Sequence, residues 1–136
     1  EHLDGPLLNY FFGQEFVQYK KIQTNGLYLN CCNFHDSMVM LEDKNIYQVQ
    51  NIVKVLPNQI YFIIRRFKII DIVYENPCSS AMLFMFVIVE DKHHALTTCL
   101  KSDIAYKMWT IPHSRREYFA IELCHTLHEQ NHIIVE

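Results

Sequence analysis

The chain has 136 residues, half of them hydrophobic and 13% aromatic, with twelve Lys and Arg against fifteen Asp and Glu for a formal charge of −3. That length can bury one substantial core, and three glycines and four prolines argue against a disordered or linker-rich segment. The near-neutral balance argues against a wide basic face gripping duplex phosphates, and the longest apolar run, residues 81–89, falls far short of the roughly 18 to 20 residues of a membrane helix.

The first residue is Glu, so the chain reads as a piece of a longer protein: one domain over residues 1–136, with a lead-in at 1–23 and a His-rich tail at 124–136. No secretory signal is visible. Five cysteines, two of them adjacent at Cys31 and Cys32, are expected to be reduced thiols of a cytosolic or nuclear protein.

In the lead-in, apolar residues cluster at 3–4 spacing (Leu7, Tyr10, Phe11, then Phe16 and Val17). This predicts a short helix interrupted at Gly13 that lays Phe11, Phe12 and Phe16 over one end of a sheet. Thr24-Asn25-Gly26 is a turn, residues 27–29 a first short strand and residues 37–41 a second. The dominant stretch is residues 45–70, β-branched and aromatic on both sides of Leu56-Pro57-Asn58-Gln59. It predicts a long hairpin. In the first arm Tyr47, Val49, Val53 and Val55 are expected on one face and Gln48, Gln50 and Lys54 on the other. Asn51 and Ile52 break that alternation, so a bulge is expected near Gln50-Asn51. The second arm is apolar on both faces from Ile60 to Ile64, as a central or doubly covered strand would be.

Residues 75–80 are a loop, residues 83–90 a strand apolar on both faces, and residues 91–94 a polar turn. Residues 96–100 form a short strand, residues 101–105 a helical turn capped by Ser102, and residues 107–111 and 118–123 a last hairpin around Arg115 and Arg116. About seven short strands with little helix predict an all-β fold, a barrel or compact sandwich.

The residues that could carry chemistry fall into three sets. Cys31 and His35 near the front, with Cys124, His125, His128 and His132 in the tail, have the side-chain types of a tetrahedral zinc site. The competing reading is exposed tail histidines and buried strand cysteines. The basic residues Arg65, Arg66, Lys68, Lys107, Arg115 and Arg116 are interleaved with aromatics, a pattern that can stack bases and hold phosphates. Against it stands a core of aromatics with charges wetting the strand ends. Finally, the chain has no Gly-rich phosphate loop, no G-x-S-x-G and no H-E-x-x-H, and its carboxylates lie at turns. It is expected not to be an enzyme and to need no cofactor.

Ile46-Tyr47-Gln48-Val49-Gln50-Asn51-Ile52, then Tyr61-Phe62-Ile63-Ile64-Arg65-Arg66-Phe67, then the apolar strand 83–89 and the segment from Leu100 to Thr110 follow one another in order. Over residues 37–123 this order resembles the bromo-adjacent homology (BAH) domain, a β-rich chromatin-associated module, with Lys107 standing at that pattern's Lys. Met108 replaces its Cys, and the Pro and acidic run that usually follow the Arg stretch are missing. The chain also resembles C-terminal domains of transposon-derived animal proteins. The first resemblance implies a chromatin-associated module, and the second, to domains with no established function, implies a nuclear history in a mobile or domesticated element. The expected role is an interaction module that takes a protein or peptide partner at a strand edge or loop groove. The contacting surface is expected at Tyr47, Tyr61, Phe67, Tyr74 and Trp109. Self-association through residues 83–89 is a second expectation, nucleic-acid binding an alternative, and no membrane partner is expected.

Overall fold

The hairpin expected at residues 45–70 is present, and the other strands are built outward from it. The structure, a computed structural model, describes residues 1–24, 26–123 and 133–135. Its strands are β1 (Phe16–Tyr19), β2 (Lys21–Thr24), β3 (Leu27–Asn30), β4 (Met38–Leu41), β5 (Ile46–Val55), β6 (Gln59–Ile72), β7 (Met85–Glu90), β8 (Thr97–Leu100), β9 (Ile104–Ser114), β10 (Glu117–Glu122) and β11 (Ile133–Val135). The fold is all-β and barrel-like: β5, β4, β9, β10, β7 and β6 pair in that order, and β6 pairs back onto β5. All of these pairings are antiparallel.

The turn-proximal half of the hairpin lies outside this ring. There β1 pairs Val55 to Ile52 of β5, and β8 pairs Tyr61 to Ile64 of β6. A separate three-stranded sheet runs β11-β2-β3. The hairpin thus belongs to two layers at once, which is why β6 is apolar on both faces. Phe62 and Ile64 pack with Ile22, Leu29 and Val49 in one core, while Ile63 packs with Phe11 and Val53 in another. Inside the ring a third core gathers Met38, Met40, Ile46, Phe67, Ile88, Met108 and Ala120.

The bulge in β5 decides which residues face which core. Val49 pairs Ile64 and Asn51 pairs Ile63, leaving Gln50 as the extra residue. One additional residue inverts the side-chain alternation beyond it. Tyr47, Val49 and Ile52 therefore share a core, whereas Val53 is buried on the opposite side with Val55 packed beside it. This corrects the single-face expectation for Tyr47, Val49, Val53 and Val55, and it separates Lys54 from Gln48.

Asn51 is itself fully buried. Its amide donates to the Pro6 carbonyl (3.0 Å) and Gln18 Oε1 (2.8 Å), and its Oδ1 accepts from the Ile52 N–H (3.0 Å) and from His2 Nε2 (3.0 Å). Every polar atom of the side chain is used, as a buried amide requires. Gly5 lies against this knot, where a Cβ would overlap the Asn51 side chain.

Several local expectations are corrected. The lead-in helix is one 3-10 turn, Asn9–Phe11, and Phe16 and Val17 lie on β1. Phe11 is buried and Phe16 packs beside it, but Phe12 is exposed. The strand at residues 27–29 is the third, because Lys21–Thr24 already pairs with it. Leu83 ends a 3-10 turn, Ser80–Leu83, and Phe84 is left-handed, so β7 starts at Met85. The 3-10 turn Lys101–Asp103 is held by Asp103 Oδ2 accepting from the Leu100 N–H (2.8 Å), with Ser102 inside the turn instead of capping it. Asn25 and the tail at 124–132 lie outside the described residues. Among the described residues no helix is long and apolar enough to cross a membrane.

Replacing Asn51 by Ala strips four hydrogen-bond partners in a site without solvent, and each orphaned buried group costs about 1–3 kcal/mol. Asn51→Ala should lower the urea unfolding free energy by about 3 kcal/mol, and Gly5→Ala should act in the same direction. A loss below about 1 kcal/mol for Asn51→Ala would show that the knot does not hold the bulge.

Candidate functional site

A cavity of about 630 Å³ opens at one end of the barrel. Its position follows from the alternation on the hairpin. On the inward face Ile46 and Phe67 belong to the barrel core, and Asn51 and Ile63 pair above the bulge. Between these pairs Gln48 stands opposite Arg65. That polar step between two apolar layers forms one wall. Gln50 Nε2 donates to Gln48 Oε1 (2.7 Å), fixing both amides along it.

The inner end of the cavity is aromatic. Phe34 packs on Tyr118 as a tilted pair with ring centroids 4.5 Å apart and meets Phe67 edge-on at 5.8 Å. Phe67 is buried, while Phe34 and Tyr118 are half-buried and reachable. Phe34 is carried by the 3-10 turn Phe34–Asp36, which Asn33 caps by accepting from the His35 N–H (3.0 Å). The outer rim is charged: Lys92, Arg115 and Arg116 are exposed there, with Glu90 and Glu117 beside them. Arg115 and Arg116 make the turn between β9 and β10, where Arg116 is left-handed with φ 66°.

Four cationic side chains and two carboxylates line the cavity. Arg65 Nη1 donates to Glu90 Oε1 (2.6 Å), and Glu117 Oε2 accepts from Ser114 Oγ (2.8 Å). The Arg65 Nε is buried with no hydrogen-bond partner among the described residues. Within the same set, Lys92, Arg115 and Arg116 take part in no ion pair. The site can therefore supply donors and positive charge over an aromatic surface.

A family model described as a domain of unknown function, DUF8592, matches residues 1–123. The chain belongs to that family. No curated protein and no solved structure matches it. The matched span contains the whole cavity lining, so the site lies within the DUF8592 domain.

Of the expected nucleic-acid set, Arg65, Arg115 and Arg116 converge on the cavity and the other three do not. Arg66 points to the opposite face of β6, where it donates to His94 Nε2 (2.7 Å) and Asn45 Oδ1 (3.3 Å). Its Nε is also buried without a partner, but it does not line the cavity. Lys68 is exposed and lies outside the lining. Lys107 is buried: its Nζ donates to the Tyr28 carbonyl, sits 3.5 Å from Asp36 and lies 5.1 Å from the Tyr28 ring centroid. Burial lowers its pKa against the opposing pull of Asp36. It pins β3 and the Phe34–Asp36 turn to the barrel.

The five expected contact aromatics are scattered. Phe67 alone lines the cavity. Tyr47 is buried in the core, with its hydroxyl donating to Asp43 (2.8 Å). Tyr61 packs on Tyr10 and Phe11, Tyr74 reaches Met85 Sδ at 4.0 Å, and Trp109 is 43% exposed on β9 opposite Ile121. Phe34, Gln48, Gln50, Glu90, Lys92, Glu117 and Tyr118 were missed. The polar alternation of Gln48 and Gln50 was the available signal, but it reads equally as a solvent face.

Among the described residues no three His, Cys, Asp or Glu side chains form a group able to hold a metal. Cys31 packs against a core and burial pushes its thiol up to about 12, while His35 Nδ1 lies 2.7 Å from the Thr110 carbonyl. A thiol held protonated is a poor metal ligand and a poor nucleophile. Cys124, His125, His128 and His132 lie outside the described residues. Cys99 is likewise raised to about 12, chiefly by burial, whereas Cys32 is exposed. Iodoacetamide at pH 8 should therefore label Cys32 first in the native protein, Cys31 far more slowly and the buried Cys99 only after unfolding, as peptide mapping by mass spectrometry would show. Native labelling of Cys31 as fast as that of Cys32 would refute the raised-thiol assignment.

Proposed function

We propose that this domain is a non-catalytic interaction module that binds an extended peptide of a partner protein at the barrel mouth. The observation that carries this reading is the open cavity of about 630 Å³ with an aromatic inner end and a charged rim. Its size is that of a ligand pocket, commonly about 300–1,000 Å³. Reachable aromatic rings supply contact area at little entropic cost, and polar groups at the rim fix orientation. β8, an end strand of the large sheet, adds a main-chain edge of the kind that extended peptides pair with. The resemblance to the BAH pattern supports a nuclear, chromatin-associated setting.

A second reading, nucleic-acid binding, draws on the meeting of Arg65, Arg115, Arg116 and Lys92 in one cavity. Glu90 and Glu117 in the same lining and the net charge of −3 weigh against it, because a polyanion would be repelled as well as attracted.

Titrating a pool of histone-tail and other nuclear-protein peptides into isotope-labelled domain tests the module reading. Amide shifts should concentrate at Phe34, Gln48, Arg65 and Tyr118. Shifts confined to the outer face of β9 around Trp109, or no shifts with any peptide, would count against the barrel mouth.

A further inference from the structure

We infer that the barrel mouth selects an acidic peptide segment carrying one aromatic residue, the ring entering against Phe34 and Tyr118 and the flanking carboxylates meeting the rim cations. This deepens the module reading above and rests on it.

The charge count sets the first half of the specificity. Four cations against two carboxylates leave two positive charges in excess within one cavity. One of the carboxylates, Glu90, is already committed to Arg65, and the other, Glu117, accepts from Ser114. The excess therefore sits on Lys92 and the Arg115-Arg116 turn at the rim, where two acidic side chains of a peptide would balance it. Arg guanidinium forks suit carboxylates because they offer paired N–H donors.

The unsatisfied Arg65 Nε supplies the second observation. A buried donor without an acceptor costs about 1–3 kcal/mol, and the Arg65 side chain that carries this one lines the cavity. A turn of the Arg65 side chain on ligand entry would present it to an incoming carbonyl or carboxylate oxygen, with Nη1 keeping its bond to Glu90. The aromatic inner end supplies the third. The half-buried rings of Phe34 and Tyr118 can pack against an entering ring, and such pairs add about 0.5–1.5 kcal/mol beyond burial.

A peptide fits this arrangement better than a nucleic acid. A phosphate chain running across the mouth would bring repeated negative charge past Glu90 and Glu117, whereas a peptide can place its carboxylates only where the arginines stand.

The test uses fluorescence anisotropy with a fluorescein-labelled peptide bearing one Trp between paired glutamates. Comparison probes replace Glu by Gln, Glu by Lys or Trp by Ala, and an oligothymidylate serves as the nucleic-acid probe. The acidic Trp peptide should bind, and each replacement should weaken it by about tenfold or more, the equivalent of one 1.4 kcal/mol step. The double variant Arg115→Glu with Arg116→Gly should weaken it by a similar factor with an unchanged thermal melt, since the turn is exposed and Gly tolerates φ 66°. Preference for the Gln or Lys peptide would overturn the acidic selectivity and leave the module reading standing. Unchanged affinity in the double variant would place the site elsewhere and overturn it. Oligothymidylate binding that falls steeply with salt and competes with the peptide would mark a general polyanion surface and overturn it. No binding of any peptide would overturn both readings together.

Discussion

One extra residue in the first arm of the hairpin governs the arrangement of the rest. Were β5 regular, Val53 and Val55 would face the same way as Tyr47 and Val49, and the strand would offer the Phe11 core Ile52 and Lys54 in their place. The insertion of Gln50 reverses the alternation, so Ile52 stays with Tyr47 and Val49 on the β2–β3 side while Val53 and Val55 turn to the lead-in side. The reversal also turns Asn51 to the Val53 side, fully buried, where a lone amide would be costly. The four hydrogen bonds around it convert that cost into an anchor for residues 2–6. The N-terminal segment is therefore tied to the bulge itself and not only to the apolar surface it covers.

The same reversal explains why the cavity exists where it does. At Ile46 and Phe67 the inward face of the hairpin is apolar and fills the barrel; past Asn51 it is apolar again, at Val53 and Ile63, and lies under Phe11 and Leu8. The Gln48–Arg65 step between them is too polar to be packed dry, and the strands leave it open to the mouth. The turn between β9 and β10 reaches this mouth because β10 pairs β7 along the same side, setting Glu117 against Val89. A cationic rim is thus assembled from Lys92 and the Arg115-Arg116 turn, segments more than twenty residues apart in sequence. Each contributes charge that would look like ordinary strand-end solubility if met alone.

The fold class, the hairpin and the bulge were legible in the sequence, because alternation and β-branched content are local signals. The short pairing of β1 with β5 was not, since Phe16-Val17 continues a spacing that also suits a helix, and only tertiary pairing with Lys54 and Val55 decides between them. The site was half legible. Arg65, Arg115 and Arg116 stood out as basic groups, but nothing local separates them from Arg66, which points to the other face, or from Lys107, which is buried under Tyr28. Phe34 was silent altogether: its role depends on a 3-10 turn that swings it toward Tyr118, a contact between residues more than eighty positions apart.

Ring closure has a bearing on how the chain acquires its shape during synthesis. β4 emerges early but pairs β9, with Val39 set against Lys107, and β7 waits for β10. Until the ribosome has delivered residue 122, the barrel core of Met38, Met40 and Ile46 has no far side. Long-range pairings of this kind delay folding and leave apolar strands uncovered while translation proceeds. A nascent chain halted just past the hairpin would present those side chains to chaperones, and the last two strands of the ring would act as the closing clasp.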